Sequence, residues 1–121
     1  MRLRALRGAI TAAENDAEAI LEATEELVHA LLERNRLQHE DLVSCIFTCT
    51  ADLDAAFPAE AARRLGLNAV PLLCAREIDV PGAMERVIRV MVHYYAPEGH
   101  APAHTYLGEA QMLRADLHSA Q

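Results

Sequence analysis

The sequence predicts an α/β domain of the α+β type, in which a mixed sheet of about five strands packs with one long helix and short helices. Three patterns favour this class: a period-2 segment at the start, one long amphipathic helix, and two later runs of branched apolar residues. The 121 residues are 52% hydrophobic and 24% charged, which is the balance of a single globular domain. We therefore expect residues 1–121 to form one domain.

The first half of the chain predicts a strand, a long helix and a second strand. Residues 2–10 alternate at period 2, and Arg7 falls among the apolar odd positions. Residues 17–34 carry apolar side chains at helical spacing, and Asn15 with a glutamate three residues later predicts a capping box. Residues 42–49 are nearly continuously apolar, as in a central strand. A helix between two strands indicates a βαβ-like beginning.

Turn residues divide the second half of the chain. Pro58 suits the first position of a short helix, and Gly66 suits the position after its end. Residues 69–74 predict a strand, and Pro71 within it favours a sheet edge or a strand start. Residues 87–92 form the strongest strand pattern in the chain. The remaining predicted elements are a turn at Pro81–Gly82, a loop over 96–103, and strand over 105–107 and 111–113.

Charge and composition exclude several classes of partner. The chain has 11 basic and 18 acidic residues, so its net charge of -7 offers no basic field for nucleic acid. No apolar run reaches the roughly 18–20 residues that cross a bilayer, and the start lacks a signal-peptide pattern. Three cysteines, an odd number, argue against a disulfide framework. We expect a cytoplasmic protein with reduced thiols, and neither nucleic acid nor a membrane as its partner.

Two arginines stand where apolar residues are expected. Arg7 and Arg89 each alternate with apolar neighbours on a predicted strand, and a guanidinium is costly to bury without an anion. One interpretation is structural: an internal salt bridge to Glu77, Asp79 or Glu85, or a strand face open to solvent. The other is functional, because the guanidinium fork suits the carboxylate of a small ligand. The pattern alone favours the structural interpretation.

Cys74 and Glu77 lie three residues apart at the carboxyl end of a predicted strand. A thiol and a carboxylate could meet one hydroxyl group of a ligand there, or they could be a packed cysteine and a surface glutamate. A nucleophilic cysteine needs a base, and no histidine has a recognisable relation to Cys74. We therefore do not predict thiol catalysis.

The sequence offers only weak metal and cofactor signals. Cys45 and Cys49 share one face of a predicted strand without a second ligand pair, which favours core packing. His100 and His104 lie in a loop with two prolines and are a weak candidate for zinc. The chain contains neither a glycine-rich phosphate loop nor a nucleophile elbow. We predict no metal and no cofactor.

Five short segments, taken together and in order, resemble the monofunctional trimeric class of chorismate mutase. They are residues 4–9, 50–59, 70–80, 88–91 and 106–107, with Leu113, Arg114, Asp116 and Leu117 after them. Each segment alone is a weak signal. Their order and separations span nearly the whole chain, which makes chance a poor explanation.

The resemblance implies a fold and a reaction. Three subunits would join their sheets into a pseudo-α/β barrel, with active sites in the clefts between subunits. The reaction would be the intramolecular Claisen rearrangement of chorismate, which carries two carboxylates, to prephenate in phenylalanine and tyrosine biosynthesis. It breaks an ether bond while a carbon–carbon bond forms, and it needs no nucleophile, metal or coenzyme.

The resemblance also implies roles for individual residues. Arg89 would stabilise the negative charge that develops on the ether oxygen. Arg7 and Tyr106 would bind a substrate carboxylate. Glu77 and Cys74 would meet the ring hydroxyl. The other substrate-binding residues implied are Phe57 and Leu113 as apolar wall, Leu72 and Leu73 beside Cys74, Arg63 at the mouth, and Arg114 on a mobile tail of about 114–121.

One position departs from the family pattern, and two other functions stay open. Glu60 stands where relatives often carry a basic residue, which puts steering of the dianion at that point in doubt. The alternatives are a non-catalytic trimeric module that binds small carboxylates, and another small trimeric enzyme such as an enamine and imine deaminase. Conversion of chorismate to prephenate distinguishes the mutase from both.

Overall fold

Five strands and four helical segments make up the part of the chain that the computed structural model describes, residues 1–116. The strands are β1 (Arg2–Thr11), β2 (Leu42–Cys49), β3 (Leu72–Arg76), β4 (Val87–Ala96) and β5 (Thr105–Tyr106). The helices are α1 (Ala17–Arg34) and α2 (Pro58–Arg64), with 3-10 helices at His39–Asp41 and Gly108–Asp116. All five strands form one sheet in the order β3-β2-β4-β1-β5.

The sheet is mixed, as the sequence predicts. β4 pairs antiparallel with β1 on one side and with β2 on the other, whereas β2–β3 and β1–β5 are parallel pairs. β1 and β2 therefore run in the same direction with β4 between them, and α1 connects them. This confirms the βαβ-like beginning, with one strand inserted. β4 is longer than predicted and continues past residue 92 to Ala96.

Helix α1 has the predicted bounds but a different cap. Asp16 occupies the N-cap, and its side chain accepts a hydrogen bond from the Ala19 N–H at 2.8 Å. The predicted capping box between Asn15 and Glu18 is wrong, because the Asn15 amide bonds the loop before α2 instead. Its Nδ2 donates to the Asp54 carboxylate at 2.8 Å, and its Oδ1 accepts from the Asp54 N–H at 3.0 Å.

The main core lies between the helices and one face of the sheet. On β1 this face carries the even positions Leu6, Gly8 and Ile10, all buried. Gly8 allows α1 to approach closely, since a Cβ there would lie 2.9 Å from a methyl group of Leu31. The apolar odd positions of β1 are therefore not the core face, contrary to what their pattern indicates. Arg7 lies among them on the other face, so its charge does not enter the core.

The second half of the chain follows the predicted order with shifted bounds. α2 begins at Pro58 and ends before Gly66, whose φ of 94° suits glycine. β3 lies at a sheet edge as predicted, but it starts at residue 72 and ends at residue 76. It starts late because Pro71 has no N–H to donate to the ladder; its carbonyl accepts from the Cys45 N–H at 3.0 Å.

The predicted strand over 111–113 is wrong. Gly108 has a φ of 59° and turns the chain after β5, and the following residues continue as a 3-10 helix. The Glu109 N–H donates to the Thr11 hydroxyl at 3.0 Å, which holds this helix against the end of β1.

The predicted mobile tail of about 114–121 begins inside that 3-10 helix. Its residues 117–121 lie outside the described residues, as do the side chains from residue 114 onward. In the described part of the chain, no helix is both long and apolar enough to cross a membrane.

Candidate active site

The sheet face turned away from α1 and α2, which we call the open face, carries both predicted arginines. The strand register places Thr48, Arg89, Ala9 and Tyr106 side by side across β2, β4, β1 and β5. Arg7 lies two residues before Ala9 on the same face of β1. These side chains line a concavity of about 190 Å³. The small Ala9 side chain leaves room between Arg89 and Tyr106.

Arg89 is held by an ion pair on the open face, one of the two interpretations that its pattern allows. Its Nε donates to Glu77 Oε2 at 3.0 Å, and the Thr48 hydroxyl donates to the same oxygen at 2.7 Å. The Glu77 side chain is only 17% exposed. This burial and the two hydrogen-bond donors together hold it in place. The pair uses Nε alone. The guanidinium is therefore fixed in orientation, while its terminal Nη groups take no part in the pair.

Tyr106 lines the concavity and belongs to an apolar cluster against which Leu113 packs. Tyr106 is buried in a small apolar cluster, whose members are Ala9, Val87, Tyr106 and Ala110. Leu113 packs against this cluster. The 3-10 helix after β5 thus packs Leu113 against the apolar cluster at this end of the open face. The side chain of Arg114, the next residue, lies outside the described ones.

Cys74 and Phe57 lie on the other side of the sheet. Cys74 is in register with Phe47 and packs against the main core, which places its thiol on the helix side. With Phe57, Glu60 and Arg76 it lines a second cavity of about 540 Å³. Phe57 is 73% exposed there despite its aromatic ring. Within one chain, the structure does not bring Cys74 together with the arginines of the open face.

The other predicted site residues of the described chain lie on β3 and α2. Leu72 is half-buried on the helix side of β3, and Leu73 is exposed on the open face. Arg63 is exposed on α2. Glu60 contacts Arg64 one turn along the same helix, at 3.7 Å. The carboxylate that departs from the family pattern therefore has a cation beside it.

Thr48 is a site residue that the sequence analysis missed. Its hydroxyl orients Glu77, which in turn orients Arg89. The signal in the sequence is slight: Thr48 is one of two hydroxyl residues within the apolar run 42–49. Only the pairing of β2 with β4 shows that it stands beside Arg89.

His100 and His104 form separate hydrogen bonds. His100 Nε2 lies 2.8 Å from the hydroxyl of the buried Tyr94. His104 Nδ1 accepts the backbone N–H of Arg7 at 3.0 Å. The sequence pattern indicates His104 only as a weak zinc candidate and does not predict this contact with Arg7.

Burial holds the thiols of Cys45 and Cys49 in their protonated form. Burial raises the pKa of Cys45 to about 11. Burial also raises the pKa of Cys49, and the neighbouring Cys74 and Glu77 add to this effect. The Cys49 thiol donates to the Leu53 carbonyl at 3.5 Å. Cys45 and Cys49 both lie on the core side of β2, which confirms their predicted packing role.

Comparison with known proteins identifies the family. A family model described as chorismate mutase type I matches residues 3–117. The chain belongs to the type I chorismate mutase family. The chorismate mutase AroH of Thermus thermophilus is 52% identical, over 98% of this chain and 99% of that protein. The chorismate mutase AroH of Bacillus subtilis is 39% identical, over 97% of this chain and 94% of that protein.

A solved structure agrees with this assignment. The chorismate mutase from Clostridium thermocellum matches with a TM-score of 0.87 and 44% identity, over 90% of this chain and 98% of that one. The predicted α/β fold is therefore confirmed. Membership of the type I chorismate mutase family likewise confirms the predicted activity, which is that of an isomerase.

Proposed function

We propose that this chorismate mutase converts chorismate to prephenate in a cleft that two subunits of a homotrimer complete. The observation that carries the proposal is the division of the predicted site between two sides of the sheet. Arg7, Arg89 and Tyr106 lie on the open face, whereas Cys74 and Phe57 lie on the helix side. One small ligand cannot touch both sides within one chain. We expect the protein to act as a single domain in the cytoplasm, as its composition predicts.

The open face favours contact with further copies of the chain. It exposes apolar side chains that a monomer would leave in water, namely Leu3, Ile46, Leu73 and Tyr95. Contiguous apolar patches of this kind mark interaction surfaces. A neighbouring subunit that set its Phe57 and Cys74 region against this face would complete the cleft, and a ring of three such contacts would close.

Arg89 is the residue to which we assign the main catalytic effect. Charge separates as the ether bond stretches, and the ether oxygen becomes partly negative. A fixed cation beside that oxygen stabilises the transition state more than the ground state. Glu77 fixes this cation through Oε2 and leaves Oε1 outside both bonds, so Oε1 can accept the ring hydroxyl of the substrate.

The two substrate carboxylates need cations of their own. We assign one to Arg7 and Tyr106, which flank the concavity from β1 and β5. Arg63 and Arg114 are assigned to the approach and retention of the dianion, and Leu113 and Phe57 to the apolar wall. Holding chorismate in a compact conformer is an orientation effect and needs no metal or coenzyme. Treatment with a chelator should therefore leave the rate unchanged.

The first test is the rate of prephenate formation by the wild type and by Arg89→Ala, prepared identically. We expect an active wild type and a folded variant that is slower by at least about a hundredfold. A folded wild type that binds chorismate without converting it would favour the alternative of a non-catalytic carboxylate-binding module.

The second test asks whether the cleft is shared. Arg89→Ala removes a group from the open face, and Phe57→Asp places a carboxylate in the other half of the site. When the two inactive variants are refolded together in equal amounts, about one cleft in four receives an intact half from each subunit. We expect activity to return to about a quarter of the wild-type value. A mixture that stays inactive, or a fully active monomer, would refute the shared cleft.

A further inference from the structure

The N–H group of Arg7 lies just beyond the end of a strand pairing. β1 pairs with β5 through Gly8 with Thr105 and through Ala9 with Tyr106, so the ladder begins one residue after Arg7. A backbone N–H at this point needs another acceptor. The imidazole of His104 takes this place, because its Nδ1 accepts the Arg7 N–H at 3.0 Å.

The backbone just before β5 is already hydrogen-bonded elsewhere, so a side chain supplies the acceptor for the Arg7 N–H. Asn35, buried at the end of α1, accepts the Ala103 N–H at 2.7 Å and donates to the Ala103 carbonyl at 3.1 Å. The Thr105 hydroxyl donates to the same carbonyl at 3.1 Å. The backbone of Ala103 is thus committed to α1. His104 is fixed between this clamp and β5, with its ring against β1.

The hydrogen bond defines the protonation state of His104. Since Nδ1 accepts a backbone N–H, the ring is neutral and carries its proton on Nε2. Partial burial lowers the pKa of His104, and the Arg7 guanidinium lowers it further. Among the charged groups of the described residues, Arg7 is the one that acts on this ring. A protonated ring would turn a donor towards the Arg7 N–H and add a second cation beside the guanidinium.

We propose that His104 is a positioning residue that holds β1 and β5 in the spacing at which Arg7 and Tyr106 together bind one substrate carboxylate. Its ring contacts the backbone of Arg7, and its own backbone precedes Tyr106 by two residues. The inference rests on the proposed function, which assigns the carboxylate to Arg7 and Tyr106. His104 acts through these residues and does not itself touch the substrate.

Two substitutions separate the hydrogen bond from the other properties of the ring. His104→Leu keeps bulk but removes the acceptor. His104→Asn keeps an acceptor oxygen on the same side-chain atom, Cγ, and cannot be protonated. His29→Asn is the matched control, because His29 lies on the exposed face of α1 beside Glu33.

We expect His104→Leu to raise KM for chorismate about tenfold and to change kcat less, because a displaced binding group weakens orientation. His104→Asn should restore KM towards the wild-type value. In the wild type, kcat/KM should fall in a step as the ring takes up a proton, at a pH below the ordinary histidine pKa. His104→Asn should lack this step, and His29→Asn should keep it.

The outcomes separate this inference from the proposed function. An unchanged KM in folded His104→Leu, or an acid step that persists in His104→Asn, would overturn the positioning role while chorismate conversion by the wild type stands. A wild type that does not convert chorismate would refute the function itself. If His104→Leu does not fold, the comparison of pH profiles between the wild type and His104→Asn decides.

Discussion

Replacing Gly8 by alanine should destabilise the protein, because α1 packs on β1 at a distance that leaves no room for a side chain. A Cβ at this position would lie 2.9 Å and 3.0 Å from methyl groups of Leu31 and Leu27, and 3.2 Å from the Thr105 carbonyl oxygen. Carbon atoms attract each other at about 3.5–4.0 Å, so both methyl contacts are too close. The contact with the carbonyl oxygen is tight as well. The two leucines are buried and the third neighbour is backbone, so none can turn aside into solvent.

The expected loss of stability follows from two opposing effects. Overpacking a core by one methyl group costs about 1–3 kcal/mol. The substitution also stabilises the protein by about 0.4–1 kcal/mol, because the unfolded chain has less conformational freedom with alanine than with glycine. We expect the free energy of unfolding to fall by about 1–2 kcal/mol, and the unfolding midpoint by about 4–8 °C. KM for chorismate should also rise, since Arg7 is the adjacent residue.

The assay is thermal unfolding followed by circular dichroism at one fixed protein concentration, since assembly makes the midpoint depend on concentration. Gly99→Ala is the matched control: it makes the same chemical change where a Cβ would meet nothing within 4 Å. The control should be as stable as the wild type or slightly more so. Equal midpoints for Gly8→Ala and Gly99→Ala would show that α1 does not press on β1 as the structure indicates.

Three further predictions concern the site and the thiols. Glu77→Gln should lower kcat by about tenfold or more, because Arg89 loses the charge that orients it. Steady-state kinetics at saturating chorismate measures this change. An unchanged kcat would contradict the orienting role. Cys74→Ser should keep substantial activity in the same assay, whereas near-complete loss would revive a role for the thiol. Cys45, whose pKa is raised to about 11, should resist a thiol reagent at pH 7.5 until the protein is unfolded, as read by mass spectrometry of the labelled peptides.

Local sequence patterns predict the helices and strands better than they predict the exact bounds of these elements. The amphipathic spacing over Ala17–Arg34 defines α1, and turn residues bound α2, because both signals act over a few neighbouring residues. The errors arise where distant contacts compete with local preference. Asn15 leaves its predicted capping role for the loop at Asp54, and residues 111–113 leave strand geometry after the turn at Gly108.

The site shows the same division between local and distant information. Arg7 and Arg89 are visible in the sequence, because a charge in an apolar alternation is conspicuous within one strand. Thr48 and His104 are not, because their importance depends on which strand lies beside them. Strand order is a long-range property, and a period-2 pattern says nothing about neighbours in the sheet.

The two faces of the sheet explain why a protein with a net charge of -7 can hold a dianion. The helices cover one face with apolar side chains, and Arg7 and Arg89 stand on the other. On that face Arg89 is 38% exposed, and Glu77 offsets the cost of holding its charge there. Arg7 and Arg89 line one concavity, so the positive charge near a bound dianion is set locally and not by the net charge. A neighbouring subunit that covers the open face would exclude water from this concavity and strengthen the electrostatic interactions within it, so that assembly and catalysis depend on the same surface.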